Sequence, residues 1–336
     1  HATDHAIATG RKKVLYSGIF LFLIGSTLCF FAQDINTLLI GRFIQGLGVS
    51  GPYVSAISIV RDKYVGREMA KVMSLVMMIF ILVPAIAPSL GQSILLFASW
   101  RYVFVLYIAY AVTIGLWILL RLEETLPVEN RIPLSAKGFY EGFKEVICNR
   151  TTMGYTLCMG LFFGSFIGYL NSSQQIFQGL FHAGKMFTVY FGVLALVFGI
   201  SSLINSRFVE KWGMHFISQR AVLGVVVSSA CFLGLHAICD IQLWMFMAYV
   251  AVLFFAFGLI FGNVNAMAME PMGHVAGIAS AVIGAVSSII SMVIGTFIGQ
   301  MYNNTLIPMT LGFLTMTSLA LVMMKIANSN NPNSAS

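Results

Sequence analysis

The chain has 336 residues, 58% of them hydrophobic and only 9% charged, and its mean hydropathy is +0.88. A soluble domain carries about 25% charged residues; this chain has too little polar surface for water, so its solvent is lipid. The net charge of +7 does not argue for nucleic acid, because the charges sit in short joints between apolar runs, where they set topology.

A helix needs about 20 apolar residues to cross a bilayer. Ten such segments follow in order: 14–32, 37–60, 70–97, 102–120, 152–171, 187–208, 221–239, 242–268, 275–301 and 306–326. Their long, unalternating runs predict helices, since only helices and closed barrels satisfy every backbone group in lipid and barrel strands alternate. The expected fold class is an all-α membrane protein. Apart from Arg42, every Lys and Arg except Arg101 and Lys185 falls on alternate joints. The positive-inside rule then places both termini in the cytoplasm. The five cysteines form no CxxC pair and no spacing with His suited to a metal, so no metal site and no cofactor is expected.

Residues 121–150 form the one long polar joint. From Ser135 onward, Phe139, Phe143, Val146 and Ile147 recur at helical spacing. That pattern fits a helix on the inner membrane surface, or a plain linker. The joint separates an N-terminal bundle, 1–120, from a C-terminal bundle, 151–327, with 328–336 as a disordered tail. The bundles repeat. Asp34-Ile35 returns as Asp240-Ile241, 206 residues on, and Gly91-Gln92 returns as Gly299-Gln300, 208 residues on. Pairing the first four spans with the last four leaves the fifth and sixth without partners, so twelve spans are expected in the complete protein, two of them before His1. Internal repeats of this kind mark secondary transporters, whose substrate sites lie at the repeat interface.

Two segments are unlike simple spans. Segment 37–60 carries Arg42 eight residues past Asp34, about 12 Å along a helix, where a charge costs roughly 2.5–3.5 kcal/mol. Gln45 lies three residues further on the same face. Arg42 either serves a transport path or is satisfied by carbonyls or a carboxylate between helices. Gly46 and Gly48 permit close helix approach. Segment 70–97 carries Pro84 and Pro88, four residues apart, which bend it before Gly91. In the corresponding C-terminal segment, Gly295 and Gly299 supply the small residues for a close crossing.

Asn171, Gln174, Gln175 and Gln178 form a polar stripe where the fifth span ends; they contact substrate or line a rim. Asn263 in the eighth span is open to the same two readings. Tyr155, Phe162, Phe163 and Phe166 offer an aromatic surface to a lipophilic substrate or to lipid. No Asp or Glu lies within an expected span; Glu270, at the end of the eighth, comes nearest.

Arg42-Phe-Ile-Gln45-Gly46-Leu-Gly48 resembles the R-x-x-Q-G-x-G motif of the fourth helix in the major facilitator superfamily, and Arg61-Asp62 follows at that helix's inner end. Pro84-Ala-Ile-Ala-Pro88-Ser-Leu-Gly91 resembles the fifth-helix antiporter motif of the Bcr/CflA-like branch of drug:proton antiporters. Trp100-Arg101 and Glu124-Thr125-Leu126 are also typical of it. The resemblance covers nearly the whole chain. It implies the major facilitator fold, with two pseudo-repeated bundles holding the equivalents of helices 3–6 and 7–12. It implies a proton-coupled multidrug efflux transporter of the bacterial inner membrane, monomeric, drawing on the proton gradient and exporting small lipophilic or cationic compounds by alternating access.

By the same resemblance Arg42 couples protonation to movement, with its titrating acid in a first helix that this sequence does not contain. Asp4, Arg11, Arg61 and Asp62 would form a cytoplasmic gate in which Arg11 pairs with Asp62. Asp4 stands six residues before Gly10-Arg11-Lys12 where the superfamily pattern has three, and Arg11–Lys13 also serve as simple topology signals. Two rival functions stay in view: a symporter or uniporter for a metabolite, and a membrane-embedded enzyme. Against the enzyme, the sequence has no HExxH, no GxSxG and no intramembrane carboxylate pair.

Overall fold

The computed structural model describes residues 11–63, 72, 83, 87, 90–91, 93–124 and 136–328. Among the described residues there is no strand. The helices are α1 Arg11–Phe31, α2 Ile35–Lys63, α3 Tyr102–Arg121, α4 Ala136–Cys148, α5 Arg150–Gln174, α6 Phe187–Trp212, α7 Met214–Ile238, α8 Leu243–Met269, α9 Ala276–Gln300 and α10 Ile307–Asn328. Helices α1, α3 and α5 to α10 are each long and apolar enough to cross a membrane. Helix α2, with 29 residues, is about 43 Å long. These elements fall on nine of the ten expected spans. The remaining one, 70–97, lies largely outside the described residues, with 93–97 helical.

Helix starts follow local capping chemistry. Asp34 accepts from Thr37 N–H at 2.9 Å and from Thr37 Oγ1 at 2.7 Å, capping α2. Asn149 caps α5 by accepting from Thr152 N–H at 2.9 Å. Two helices run further than their apolar stretches. Helix α5 continues through its polar end into a π-helical turn, Gln175–Leu180, because amides on the surface do not break a helix and no Gly or Pro intervenes before Gly179. Helix α7 begins seven residues early, at Met214, because Gly213 at φ +77° ends α6 and turns straight into α7; glycine takes that conformation at no steric cost.

Contacts divide the chain into two compact units, His1–Phe139 and Tyr140–Ser336, so the division falls inside α4. In the first unit α1 and α2 run antiparallel and touch through glycine. A Cβ on Gly25 would stand 2.6 Å from Gly41 O, and one on Gly48 would stand 2.8 Å from Gly18 O. Without a hydrophobic drive between helices in lipid, this backbone-to-backbone approach is what holds such a pair.

In the second unit α5 and α9 run parallel and interlock in both directions. Gly160, Gly164 and Gly168 face Ile290, Ile294 and Ile298, with a Cβ on each glycine 2.7–2.8 Å from its isoleucine. Gly295 and Gly299 of α9 in turn face Ile167 and Asn171 of α5. Helix α4 seats Val146 fully buried in the core of this unit and sets Gly142 against Ile278, while Tyr140 and Phe143 stay exposed.

Candidate functional site

In the first unit the polar side chains of α1 and α2 converge on Arg42. Gln45 is buried, and its Nε2 donates to Ser26 Oγ at 2.7 Å. Ser26 Oγ donates to Phe22 O at 2.7 Å. That orients the amide so that Gln45 Oε1 accepts from Arg42 Nη1 at 3.3 Å. Cys29 Sγ stands 4.0 Å from the same oxygen and 3.6 Å from Leu38 O. On the other side the guanidinium lies over the ring of Phe104 of α3, 4.9 Å from its centroid; Phe104 itself is buried. Arg42 is exposed, and its other N–H groups have no partner among the described residues. The unit thus steers one cation with an amide and an aromatic face and leaves most of its donor fork open. A guanidinium presented this way is suited to a carboxylate or another planar anion.

In the second unit a cavity of about 520 Å3 opens between the C-terminal ends of α5 and α9. It is lined by Asn171, Gln175, Thr296, Gly299, Gln300 and Tyr302. Asn171 Nδ2 donates to Gly295 O at 3.2 Å. The polar stripe of α5 therefore splits. Asn171 and Gln175 line the cavity, whereas Gln174 donates to Gln178 Oε1 at 3.3 Å outside it. Five residues before Asn171 begins an aromatic run shared with α8. Phe166 lies 5.3 Å from both Phe254 and Phe257, and Phe163 lies 5.6 Å from Phe261. Phe163 and Phe261 remain 38% and 44% exposed, so this aromatic surface has an open edge.

Other expected site residues stand elsewhere. Asn263 is buried between α6 and α8, where it exchanges two side-chain bonds with Asn205 and donates to Leu259 O at 2.8 Å; it does not line the cavity. A Cβ on Gly46 or on Gly91 would meet nothing within 4 Å among the described residues, so the approach of α1 and α2 rests on Gly18, Gly25, Gly41 and Gly48. Arg11 opens the described part of α1. Its N–H donates to Glu124 Oε1 at 2.9 Å, and Lys12 N–H donates to Glu124 Oε2 at 3.2 Å. One carboxylate thus takes up two donors at a helix start, where negative charge is favoured. Asp4, Pro84 and Pro88 lie outside the described residues, as do the side chains of Arg61 and Asp62 at the end of α2.

Sequence reasoning missed Ser26, Phe104, Thr296, Gln300, Tyr302 and Phe261. For Gln300 a signal existed, the repeated Gly-Gln dipeptide. Ser26 and Phe104 gave none, because a serine and a phenylalanine in apolar helices acquire meaning only from what stands opposite.

The Major Facilitator Superfamily pattern matches residues 6–296. An uncharacterized MFS-type transporter of Bacillus subtilis, YdgK, is 33% identical over 278 residues, covering 82% of this chain and 69% of that protein. A bicyclomycin resistance protein homolog of Haemophilus influenzae is 26% identical over 306 residues, covering 89% of this chain and 75% of that protein. Among solved structures, an inward-facing bacterial homolog of the human lysosomal transporter Spinster aligns with a TM-score of 0.62 at 16% identity. That alignment covers 95% of this chain and 82% of the other.

Proposed function

The chain belongs to the Major Facilitator Superfamily, a superfamily of membrane transporters and not of enzymes, and on that footing we propose that it exports small lipophilic or cationic compounds against inward proton flow. The observation that carries this reading is Arg42, an exposed guanidinium within a 29-residue helix, steered by Gln45 and Phe104 with most of its donors open. An ionisable side chain at such a depth marks a transport path. When an acid facing Arg42 is ionised, the two attract; when it takes a proton, the attraction lapses and the helices that carry them are free to rearrange. Alternating access then needs substrate and proton to favour opposite conformations.

The open aromatic edge at Phe163 and Phe261 supplies contact area for a lipophilic substrate, and the bicyclomycin resistance homolog supports a drug-like cargo. The motif around Pro84 and Pro88 supports export over uptake. The proton gradient is the energy source in this reading, and the protein works as a monomer in a bacterial inner membrane with both termini cytoplasmic.

The test uses the full-length protein in inverted membrane vesicles, where a proton gradient, acid inside, drives ethidium inward. Wild type is expected to accumulate the dye only while the gradient stands. Arg42→Ala abolishes the coupled movement, and Arg42→Lys, which keeps the charge but loses the fork, slows it about tenfold or more. Retained coupling in both variants sinks the role of Arg42, and gradient-independent movement in wild type sinks antiport.

A further inference from the structure

The cavity between α5 and α9 differs in chemistry from a site built for cations. Among the described residues its lining includes no charged side chain. An ammonium group placed there would find no counter-charge among the described residues. What the lining offers is neutral hydrogen bonding. The side chains of Gln175, Thr296 and Gln300 are exposed, and the phenol of Tyr302 has no partner among the described residues. The Tyr302 oxygen is buried, and burial pushes its phenol up from the usual range, so it stays a donor. Asn171 has its Nδ2 committed to Gly295 O, which leaves Oδ1 as an acceptor.

Two backbone features make the room. Gly299 has no Cβ, which would stand 2.8 Å from Asn171 Cβ. Gln175 begins the π-helical turn, a departure from the α-helix that recurs at functional sites. The volume falls within the range of small-molecule sites.

We propose that this cavity is a recognition site for an uncharged substrate group that both donates and accepts hydrogen bonds, a carboxamide or a hydroxyl-bearing group. Gln175 and Gln300 grip it as complementary amides, Asn171 Oδ1 accepts from it, and Tyr302 donates to it. Only the description of the bound molecule as a substrate rests on the export reading; the binding itself does not require it. The site would favour neutral hydrogen-bonding molecules over permanently charged ones, for which its described lining holds no counter-charge.

The experiment uses full-length protein in lipid nanodiscs, without any gradient, and two fluorescent probes of matched size. One is dansylglycinamide, which is neutral with a carboxamide end; the other is a dansyl-ethyl-trimethylammonium, which carries a fixed positive charge. Dansyl emission reads equilibrium binding. Wild type is expected to prefer the carboxamide probe. Gln175→Leu, Gln300→Leu and Tyr302→Phe each weaken it about threefold to tenfold, the loss of one neutral hydrogen bond. Gln300→Glu is expected to reverse the preference, raising affinity for the ammonium probe about tenfold. This gain cannot come from a misfolded protein.

Equal binding of the carboxamide probe by wild type and the Gln175→Leu, Gln300→Leu double variant overturns the proposal, as does a wild-type preference for the ammonium probe. Gradient-driven movement of ethidium and of the carboxamide probe is measured separately, with the same protein in inverted membrane vesicles. Absence of both movements with probe selectivity intact overturns export and leaves this site standing; the opposite pattern overturns the site alone.

Discussion

Asn205 and Asn263 exchange two side-chain hydrogen bonds, of 3.0 and 2.8 Å, across α6 and α8. Each amide satisfies the other, and Asn263 is buried. A polar pair of this kind holds two helices in register where apolar packing alone would let them slide. A single Asn263→Leu leaves Asn205 facing an apolar surface, so each single variant is expected to lower thermal stability in nanodiscs more than half as much as the double variant does. The coupling energy from the double-mutant cycle should be about 0.6–1.7 kcal/mol, the range for interhelical bonds in membranes. Additive losses would show that the pair contributes nothing as a pair.

The ring of Phe104 is the second support of Arg42. A cation over an aromatic face gains about 0.5–2 kcal/mol. Phe104→Leu therefore should weaken gradient-driven transport about twofold to thirtyfold, and Phe104→Tyr should restore most of it. Loss in both variants would point to packing of α2 against α3 and away from the ring's electrostatics.

The interlock of α5 and α9 predicts a rescue. Gly164→Ala places a methyl 2.7 Å from Ile294 Cβ, an overpacked contact that costs typically 1–3 kcal/mol. Ile294→Ala alone leaves a gap and also destabilises. The two together should be more stable than Gly164→Ala by itself, as read by thermal unfolding of the protein in nanodiscs. No recovery in the double variant would mean that the two helices do not meet through these residues.

Asp34 ties the start of α2 to pH. The Thr37 hydroxyl, then the Thr37 N–H, hold its carboxyl below the usual carboxylate range. A folded value lowered in this way means that the cap contributes fully above the unfolded value of about 3.9 and fades as pH falls through the lower, folded one. Amide exchange at Thr37, corrected for its intrinsic rate, should therefore accelerate as pH drops from about 5 to about 2. Asp34→Asn, which still caps but does not titrate, should remove that dependence. A flat profile in wild type would show that the carboxylate is not the cap.

Much of the fold was legible because lipid imposes length and periodicity on each span independently. Nine expected segments coincide with helices, and the departures have local causes. The positive φ at Gly213 joins α6 to α7 without a loop. The π-helical turn carries α5 through residues whose polarity reads as an end. The site was legible in part. Arg42 and Gln45, three residues apart on one helix, do meet, because helical geometry alone places them together. Asn171 and Gln175, four apart, line one cavity for the same reason.

Other residues depend on their neighbours. Asn263 reads like a cavity residue until Asn205 is found opposite it. Gly46 reads like a packing residue until α1 proves to approach the face that carries Gly41 and Gly48. The glycines at 160, 164 and 168 become specific only when the isoleucines of α9 fill them.

The amino-acid sequence by itself determined the solvent, the span positions, the family resemblance and the one deep cation, since each depends on composition or on spacing within a single helix. Tertiary structure decided which amides are spent holding helices together and which remain free to bind. That division follows from the parallel approach of α5 to α9 and the antiparallel approach of α1 to α2, because a hydrogen-bonding group is available to a ligand only where no neighbouring helix has already satisfied it.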